Sequence, residues 1–312
     1  MGAIRHLPAI TLALVCVAGA QPAQAQGTGR QPCDLMALSP KQQPLSLDAN
    51  VASALQGTTA CLARKDAPCA DELLSQVDAT SLSADEQALL TSARADVADA
   101  RGDHDAAAKL FRETLAKPSL DAVVRSIVAL KYADALFNAN DYAGTLRVLD
   151  ADGACETAEG LVTRAAAYLR IFAPELAEAN LDAATRLYQL EGREAPPALK
   201  ALHKQAADVL AKQKKWNQVR PQTPDALFPG KTVPPDYPDR ALHKHLQGWV
   251  QFEFSVSDNG NVENARVVES SDEIFEQPGL ASLKQWRFAP PLEDGLPARS
   301  DVVKTVIRWQ LR

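Results

Sequence analysis

Apolar side chains recur every three or four residues between residues 47 and 216, a spacing that predicts a succession of amphipathic helices. The pattern is interrupted near residues 102, 140 and 173, so successive interruptions are 38 and 33 residues apart. A helix–turn–helix unit that returns about every 34 residues is typical of a helical-repeat solenoid. We therefore predict an all-α array of helical hairpins over residues 47–218, with a generic all-α bundle as the alternative.

In the last 80 residues, most of the apolar and polar positions alternate as in a strand instead of recurring at helical spacing. Residues 250–256 alternate between apolar and polar, which predicts a half-buried strand. Residues 258–261 contain an Asn-Gly pair that favours a hairpin turn, and residues 262–270 form the returning strand. Helical spacing over residues 275–286 and a final alternation over residues 303–311 complete the pattern. We predict a small α+β fold, a three-stranded antiparallel sheet with helices on one face.

Composition also divides the chain. Of its 55 alanines, 50 precede residue 233, whereas three of the four tryptophans lie in the last 80 residues. Prolines are concentrated between the two regions, and a proline-rich stretch cannot continue a helix, so residues 219–234 are predicted to be an extended linker. The predicted domains are therefore residues 47–218 and residues 235–312.

The N-terminus has the features of an export signal. A positive start at Arg5 precedes an apolar stretch of about 14 residues, and an Ala-Gln-Ala sequence ending at residue 25 fits the small-x-small cleavage pattern. The stretch is shorter than the roughly 20 residues of a membrane-spanning helix. We predict a cleaved signal peptide at residues 1–25 and a flexible segment at residues 26–46, with an uncleaved membrane anchor as the alternative.

Charge and motif content exclude several functional classes. The net charge of −6 argues against a general nucleic-acid binder, which needs a basic patch. No metalloprotease, serine-hydrolase or phosphate-binding motif occurs. His243 and His245 are two residues apart and point in different directions on a helix, and His104 and His203 are predicted to be isolated surface residues. We predict a non-enzymatic protein without a metal or other cofactor.

Four cysteines remain after the predicted signal peptide, namely Cys33, Cys61, Cys69 and Cys155. In an exported protein they are expected to form two disulfides, for which three connectivities exist. Cys61 and Cys69 flank a break between two helical stretches, and their pairing would leave Cys33 to pair with Cys155. Free buried cysteines are the alternative.

A first family resemblance lies in the helical region. The run from Gly102 to Phe111, followed by Pro118, resembles the turn and second helix of a tetratricopeptide repeat (TPR). Small residues there allow two helices to approach closely, which accounts for the abundant alanine. The resemblance implies a TPR-like array of degenerate repeats with a concave groove that holds a further protein or peptide.

A second resemblance covers residues 233–312. Six short motifs occur there in the order and spacing of the C-terminal domain of the TonB family. They are Pro235-Asp236-Tyr237-Pro238, Gly248-Trp249-Val250, Asp258-Asn259-Gly260, Val267-Val268-Glu269-Ser270-Ser271, Trp286-Arg287-Phe288-Ala289-Pro290 and Gly295-Leu296-Pro297. The sequence departs from the family at His245 and Asp272, where glycine is usual.

The TonB resemblance implies a binding surface. In the family, a short peptide near the N-terminus of outer-membrane receptors pairs along the last strand of the sheet, so TonB-dependent receptors are the expected partners, bound by strand addition. The expected contact residues are Tyr237, Pro238, Lys304, Thr305, Val306, Ile307 and Arg308. The alternative is that Ile307 and Trp309 are core residues and that Lys304 and Arg308 only protect a solvated edge.

Together the two resemblances predict a periplasmic TonB-family adaptor that binds one protein through the helical array and another through the sheet. The alternative is a TonB-type energy transducer, anchored in the inner membrane and facing the periplasm, for receptor-dependent transport. The helical array occupies the place of the long proline-rich spacer of a TonB transducer, which favours the adaptor. A third expectation is a weak homodimer that pairs through the edge strand.

Overall fold

A computed structural model of the chain describes residues 47–118, 120–151, 156–219 and 227–311. The signal peptide and flexible segment predicted for residues 1–46 lie outside these ranges, as does Cys155. Within these ranges, no helix combines the length and the apolar character that crossing a membrane requires.

The described part of residues 47–219 is helical, as predicted. The interruptions near residues 102, 140 and 173 each separate two helices. The helices are α1 (Ala49–Ala63), α2 (Ala67–Ser75), α3 (Ala84–Ala100), α4 (His104–Leu115), α5 (Ala122–Asn138), α6 (Tyr142–Asp150), α7 (Ala158–Arg170), α8 (Pro174–Leu190) and α9 (Pro197–Val219).

Local caps explain where these helices begin and end. Ser83 and Glu86 form a reciprocal capping box at the start of α3. The Asp103 side chain accepts a hydrogen bond from the Ala106 amide and begins α4. Gly102 (φ 82°) and Asn140 (φ 64°) adopt the left-handed conformation that reverses the chain after α3 and α5. The breaks therefore follow from short-range interactions that the sequence displays directly.

Small and aromatic side chains pack the first helices together. Helix α3 packs against α4 and α5. Ala88 and Ala107 are fully buried, and an alanine at such a position lets the helix backbones come close. The Phe111 ring stacks on Tyr132 with centroids 5.4 Å apart. The turn between α1 and α2 is closed by a disulfide between Cys61 and Cys69.

The chain divides into two compact units. The first unit consists of a main part that ends at Ala139 together with two further ranges, Val148–Thr163 and Ala183–Glu194. The second unit comprises Asn140–Arg147, Arg164–Asp182 and Ala195–Arg312. It thus contains all the strands together with parts of α6, α7 and α8 and the whole of α9.

The C-terminal region is a small fold with antiparallel sheets. Strands β3, β2 and β7 form a three-stranded sheet in that spatial order, and two-stranded sheets pair β1 with β4 and β5 with β6. The elements are β1 (Pro229–Lys231), α10 (Asp239–His243), β2 (Gly248–Val256), β3 (Val262–Ser270), α11 (Glu276–Leu283), β4 (Arg287–Phe288), β5 (Leu292–Glu293), β6 (Leu296–Pro297) and β7 (Val303–Trp309).

The predicted sequence of helix, strand, strand, helix and strand corresponds to α10, β2, β3, α11 and β7. The four short strands β1, β4, β5 and β6 were not predicted. Two or three residues are too few to show an alternation of apolar and polar positions, and the pairing of these strands depends on distant partners. Gly260 (φ 79°) supplies the positive φ expected at the Asn-Gly turn between β2 and β3. A Cβ atom there would lie 2.4 Å from the Phe288 carbonyl oxygen, so glycine is required.

An aromatic core holds the sheet to its helices. Phe252 and Phe275 are fully buried, and the Phe275 ring lies 5.0 Å from the Trp309 ring. Helix α11 packs against β2 and β3. At Gly279 in α11, a Cβ atom would lie 2.6 Å from Phe252 and 2.9 Å from Trp309, so glycine permits this close approach.

Candidate functional site

Strand β7 forms one edge of the three-stranded sheet. It pairs antiparallel with β2 in a continuous register from Gly248↔Trp309 to Phe254↔Val303. Among the described residues, no strand pairs with its other side. Backbone N–H and C=O groups on that side are therefore available to a further strand.

The side chains of β7 alternate between core and solvent. Val303, Ile307 and Trp309 are buried, whereas Lys304 and Arg308 are exposed. Ile307 and Trp309 are thus core residues, as the alternative interpretation expects. What β7 can offer a partner is chiefly its backbone and the exposed side-chain row.

A charge ladder crosses the sheet on its polar face. The Glu253 carboxylate on β2 lies 2.9 Å from Lys304 Nζ on β7 and also pairs with Arg266 on β3. The hydrogen bond from Lys304 and the positive charges of both neighbours hold the pKa of Glu253 below its ordinary value. The Lys304 side chain is therefore turned toward β2, away from the open edge.

Tyr237 and Pro238 lie on a segment tied to β7. Trp309 Nε1 donates a 2.9 Å hydrogen bond to the Asp236 carbonyl oxygen. The Tyr237 hydroxyl donates to the Leu246 carbonyl oxygen at 2.6 Å, and Pro238 precedes the first residue of α10. The structure thus brings the segment carrying Tyr237 to the end of β7 where Trp309 lies.

The two departures from the TonB pattern have local explanations. His245 has a φ of 54°, a conformation that glycine adopts without strain, so the usual glycine fits this position and the histidine tolerates it. Asp272 has an extended backbone, and its carboxylate accepts a hydrogen bond from the Ile274 amide at 3.0 Å.

Within the second unit, the β2–β3 turn contacts helix α6, a contact that sequence reasoning missed. Asn259 Oδ1 accepts a 2.9 Å hydrogen bond from the Ala143 amide, and Asn259 Nδ2 donates to Asp141 at 3.0 Å. Arg147 and Asp258 form an ion pair at 2.9 Å. The partners are more than 110 residues apart in sequence, and no local pattern indicates such a contact.

The prediction that His104 and His203 are isolated is wrong. His104 Nδ1 lies 2.7 Å from the Asp99 carboxylate, and His203 Nδ1 lies 2.7 Å from the Glu178 carboxylate. His104 pairs with an acid that is 5 residues away in sequence, and His203 pairs with one that is 25 residues away on another helix.

The first unit contains a partly buried carboxylate on α5, that of Asp134. Burial raises the pKa of Asp134 to about 6, although its hydrogen bond from Thr163 Oγ1 at 3.0 Å opposes the rise and the nearby Asp96 adds to it. Asp96 itself pairs with Lys131. Polar groups from α3, α5 and α7 thus meet at one place in the helical region.

Comparison with known proteins identifies relatives of the C-terminal region. Residues 233–311 match the family model described as the Gram-negative bacterial TonB protein C-terminal. Protein TonB of Vibrio cholerae serotype O1 is 35% identical over 66 residues, which are 21% of this chain and 27% of that protein. Protein TonB of Yersinia enterocolitica is 33% identical over 85 residues, which are 27% of this chain and 30% of that protein.

The chain thus covers less than a third of the length of either relative. The matched region contains strands β2 to β7, the six motifs and the edge described above, whereas β1 precedes it. The resemblance deduced from those motifs is therefore confirmed, and residues 233–311 are a TonB C-terminal domain.

Proposed function

We propose that this protein is a non-enzymatic periplasmic adaptor whose TonB C-terminal domain binds outer-membrane transport receptors by strand addition to β7. The observation that carries the proposal is the open edge of β7 in a domain of this family. An extended receptor segment would gain main-chain hydrogen bonds along the edge. The contact residues would be Lys304, Thr305, Val306, Ile307 and Arg308, with Tyr237 and Pro238 beside one end of the strand.

The helical region would hold a second protein as a TPR-like array, the assignment proposed for residues 47–218. Three features support this. Interhelix turns recur near residues 102, 140 and 173, helices α1 and α2 and helices α3 and α4 pack as neighbours, and alanines fill the contacts between them. In this proposal residues 219–234 join the two binding regions, although Val219 ends α9 and Pro229–Lys231 form β1.

The competing proposal is an anchored TonB-type energy transducer. Transmission of force requires a fixed N-terminal end and a segment long enough to reach the receptor. The residues from Ala49 to Val219 are largely helical, and the turn at Asp258 and Asn259 bonds to α6. These features favour an adaptor over a domain carried on an extended spacer.

Mass spectrometry of the N-terminus separates the two proposals. A mature chain that begins at Gln26 supports the soluble adaptor. An intact N-terminus recovered in the membrane fraction overturns it in favour of the anchored transducer.

A proline substitution tests the edge. In a pull-down from envelope extract with the full chain, Val306→Pro on β7 is expected to abolish receptor capture, because proline has no N–H and distorts the edge. Val268→Pro on β3 is the matched control, since Val268 is exposed and has no partner in the β2–β3 register. Both variants are checked by circular dichroism, and equal capture by the folded Val306→Pro variant would refute strand addition.

A further inference from the structure

Three potential metal ligands converge between helices α8 and α9, within the second unit. Glu178 and Asp182 lie one helical turn apart on α8, and His203 lies on α9. One ligand atom from each lies within 4.8 Å of the other two. Among the described residues, no other group of three histidine, cysteine or acidic side chains meets this condition.

A simple histidine–carboxylate bond accounts for only part of this arrangement. The 2.7 Å contact between His203 Nδ1 and Glu178 Oε2 uses one carboxylate. The second carboxylate, that of Asp182, is like-charged and one turn away on the same helix face, a spacing that is unfavourable without a cation. About a third of the Glu178 and His203 side chains is exposed, so an ion from solvent can reach the ligand atoms.

We propose that Glu178, Asp182 and His203 form a binding site for a divalent transition-metal ion of the zinc class. One imidazole nitrogen and two carboxylate oxygens suit zinc better than calcium or magnesium, which prefer oxygen ligands alone, or copper(I), which prefers sulfur. Solvent water would complete the coordination. The proton that His203 Nδ1 shares with Glu178 would leave to solvent, and the metal would cross-link α8 to α9.

Zinc titration of the metal-free full chain tests the site. The protein is stripped with a chelator, its free thiols are alkylated, and Zn²⁺ binding is followed by calorimetry. The expected result is one Zn²⁺ per chain. His203→Ala and Asp182→Asn are each expected to weaken binding by more than about tenfold, because even removal of an outer-shell partner costs 10–100-fold in metal affinity.

Two matched controls identify the site. His104 makes the same 2.7 Å bond to a carboxylate as His203 but belongs to no three-ligand group among the described residues, so His104→Ala is expected to leave affinity unchanged. The double substitution His243→Ala and His245→Ala removes the other described histidines and is also expected to have no effect. Circular dichroism in chelator confirms that each variant is folded.

Cobalt gives a second readout. Co²⁺ bound at the site is expected to show d–d absorption bands that Zn²⁺ abolishes and that folded His203→Ala lacks. The proposal is overturned if the wild-type chain takes up no Zn²⁺, or if His203→Ala binds as tightly as the wild type. It is equally overturned if Asp182→Asn has no effect, since that result reduces the cluster to a histidine–glutamate pair.

Discussion

The helical region and the TonB C-terminal domain are held together by different kinds of side chain. In the helices, fully buried alanines such as Ala88 and Ala107 let backbones approach one another. In the domain, buried aromatics such as Phe252 and Phe275 fill the space between a sheet and one short helix. Within a helix the backbone groups bond to one another, whereas among the described residues no strand pairs with the outer side of β7. A partner of the helices would therefore be recognised through side chains, whereas a partner of the sheet could be recognised through the backbone.

The largest effect is expected from a substitution in the aromatic core. Phe252→Ala removes a fully buried ring in contact with α11 and is expected to lower the free energy of unfolding by about 3–5 kcal/mol. Denaturant unfolding followed by tryptophan fluorescence measures this change, because three of the four tryptophans lie in the domain. Phe252→Leu, which keeps most of the apolar volume, should cost clearly less. A loss below about 1 kcal/mol would contradict the assigned core.

A substitution of Asp134 in the helical region is expected to raise the free energy of unfolding rather than to lower it. The folded state holds the Asp134 proton more tightly than the unfolded chain does. The free energy of unfolding therefore falls as pH rises from about 4 to about 6, and it loses the full contribution of this group above that range. Asp134→Asn is therefore expected to raise the free energy of unfolding at pH 7 by about 1–3 kcal/mol, and the gain should vanish below pH 4.

Asp208→Asn, an exposed substitution on α9, is the control for this experiment and should change stability by less than about 0.5 kcal/mol at any pH. The assignment of a raised pKa to the Asp134 carboxylate would fail if Asp134→Asn were neutral or destabilising at pH 7.

An intermediate effect is expected where the β2–β3 turn meets α6. Asn259→Ala removes the hydrogen bonds to Ala143 in α6 and to Asp141 just before it, and leaves the Ala143 amide without its acceptor, at a cost of about 1–2 kcal/mol. Hydrogen exchange of the Ala143 amide should become faster. Asp258→Asn removes only the exposed ion pair with Arg147 and should leave that exchange rate nearly unchanged. Unaltered exchange in Asn259→Ala would show that the contact does not persist in solution.

The smallest effect is expected in the charge ladder on the sheet. Glu253→Gln should lower the unfolding midpoint slightly, and the loss should shrink in high salt because the Lys304 partner is exposed to solvent. The lowered pKa of Glu253 means that its stabilisation is present above the ordinary carboxyl pKa and disappears as pH falls through the folded-state pKa. Glu269→Gln, an exposed substitution on β3, is the control. Equal unfolding midpoints for Glu253→Gln and Glu269→Gln at low salt would show that the charge ladder does not stabilise the sheet.

The sequence predicted features that depend on near neighbours. The interruption at Gly102 and the turn at Asn259 and Gly260 are both set within a few residues. The alternation in β2 and β7 also predicted which side chains enter the core. These elements were predictable because helix caps, turns and strand periods are short-range properties.

Features that depend on distant contacts could not be predicted. Strands β1, β4, β5 and β6 contain two or three residues each and exist only because a partner lies beside them. The bonds of Asn259 to α6 and of His203 to Glu178 join different elements. The motifs that resemble TonB identified the domain, but they contained no information about the helices that precede it.

Site-specific photo-crosslinking can show whether a partner pairs along the open edge of β7. A photoreactive amino acid is placed at Val306 in one full-length variant and at Val268 in the other, and each is irradiated in envelope preparations. Val268, on β3, is 45% exposed, so poor access would not explain a lack of product there. If strand addition occurs at β7, a crosslink to an outer-membrane receptor is expected from position 306 and none from position 268. Receptor crosslinks of equal yield from both positions, or a product from position 306 that contains only a second copy of this chain, would contradict it.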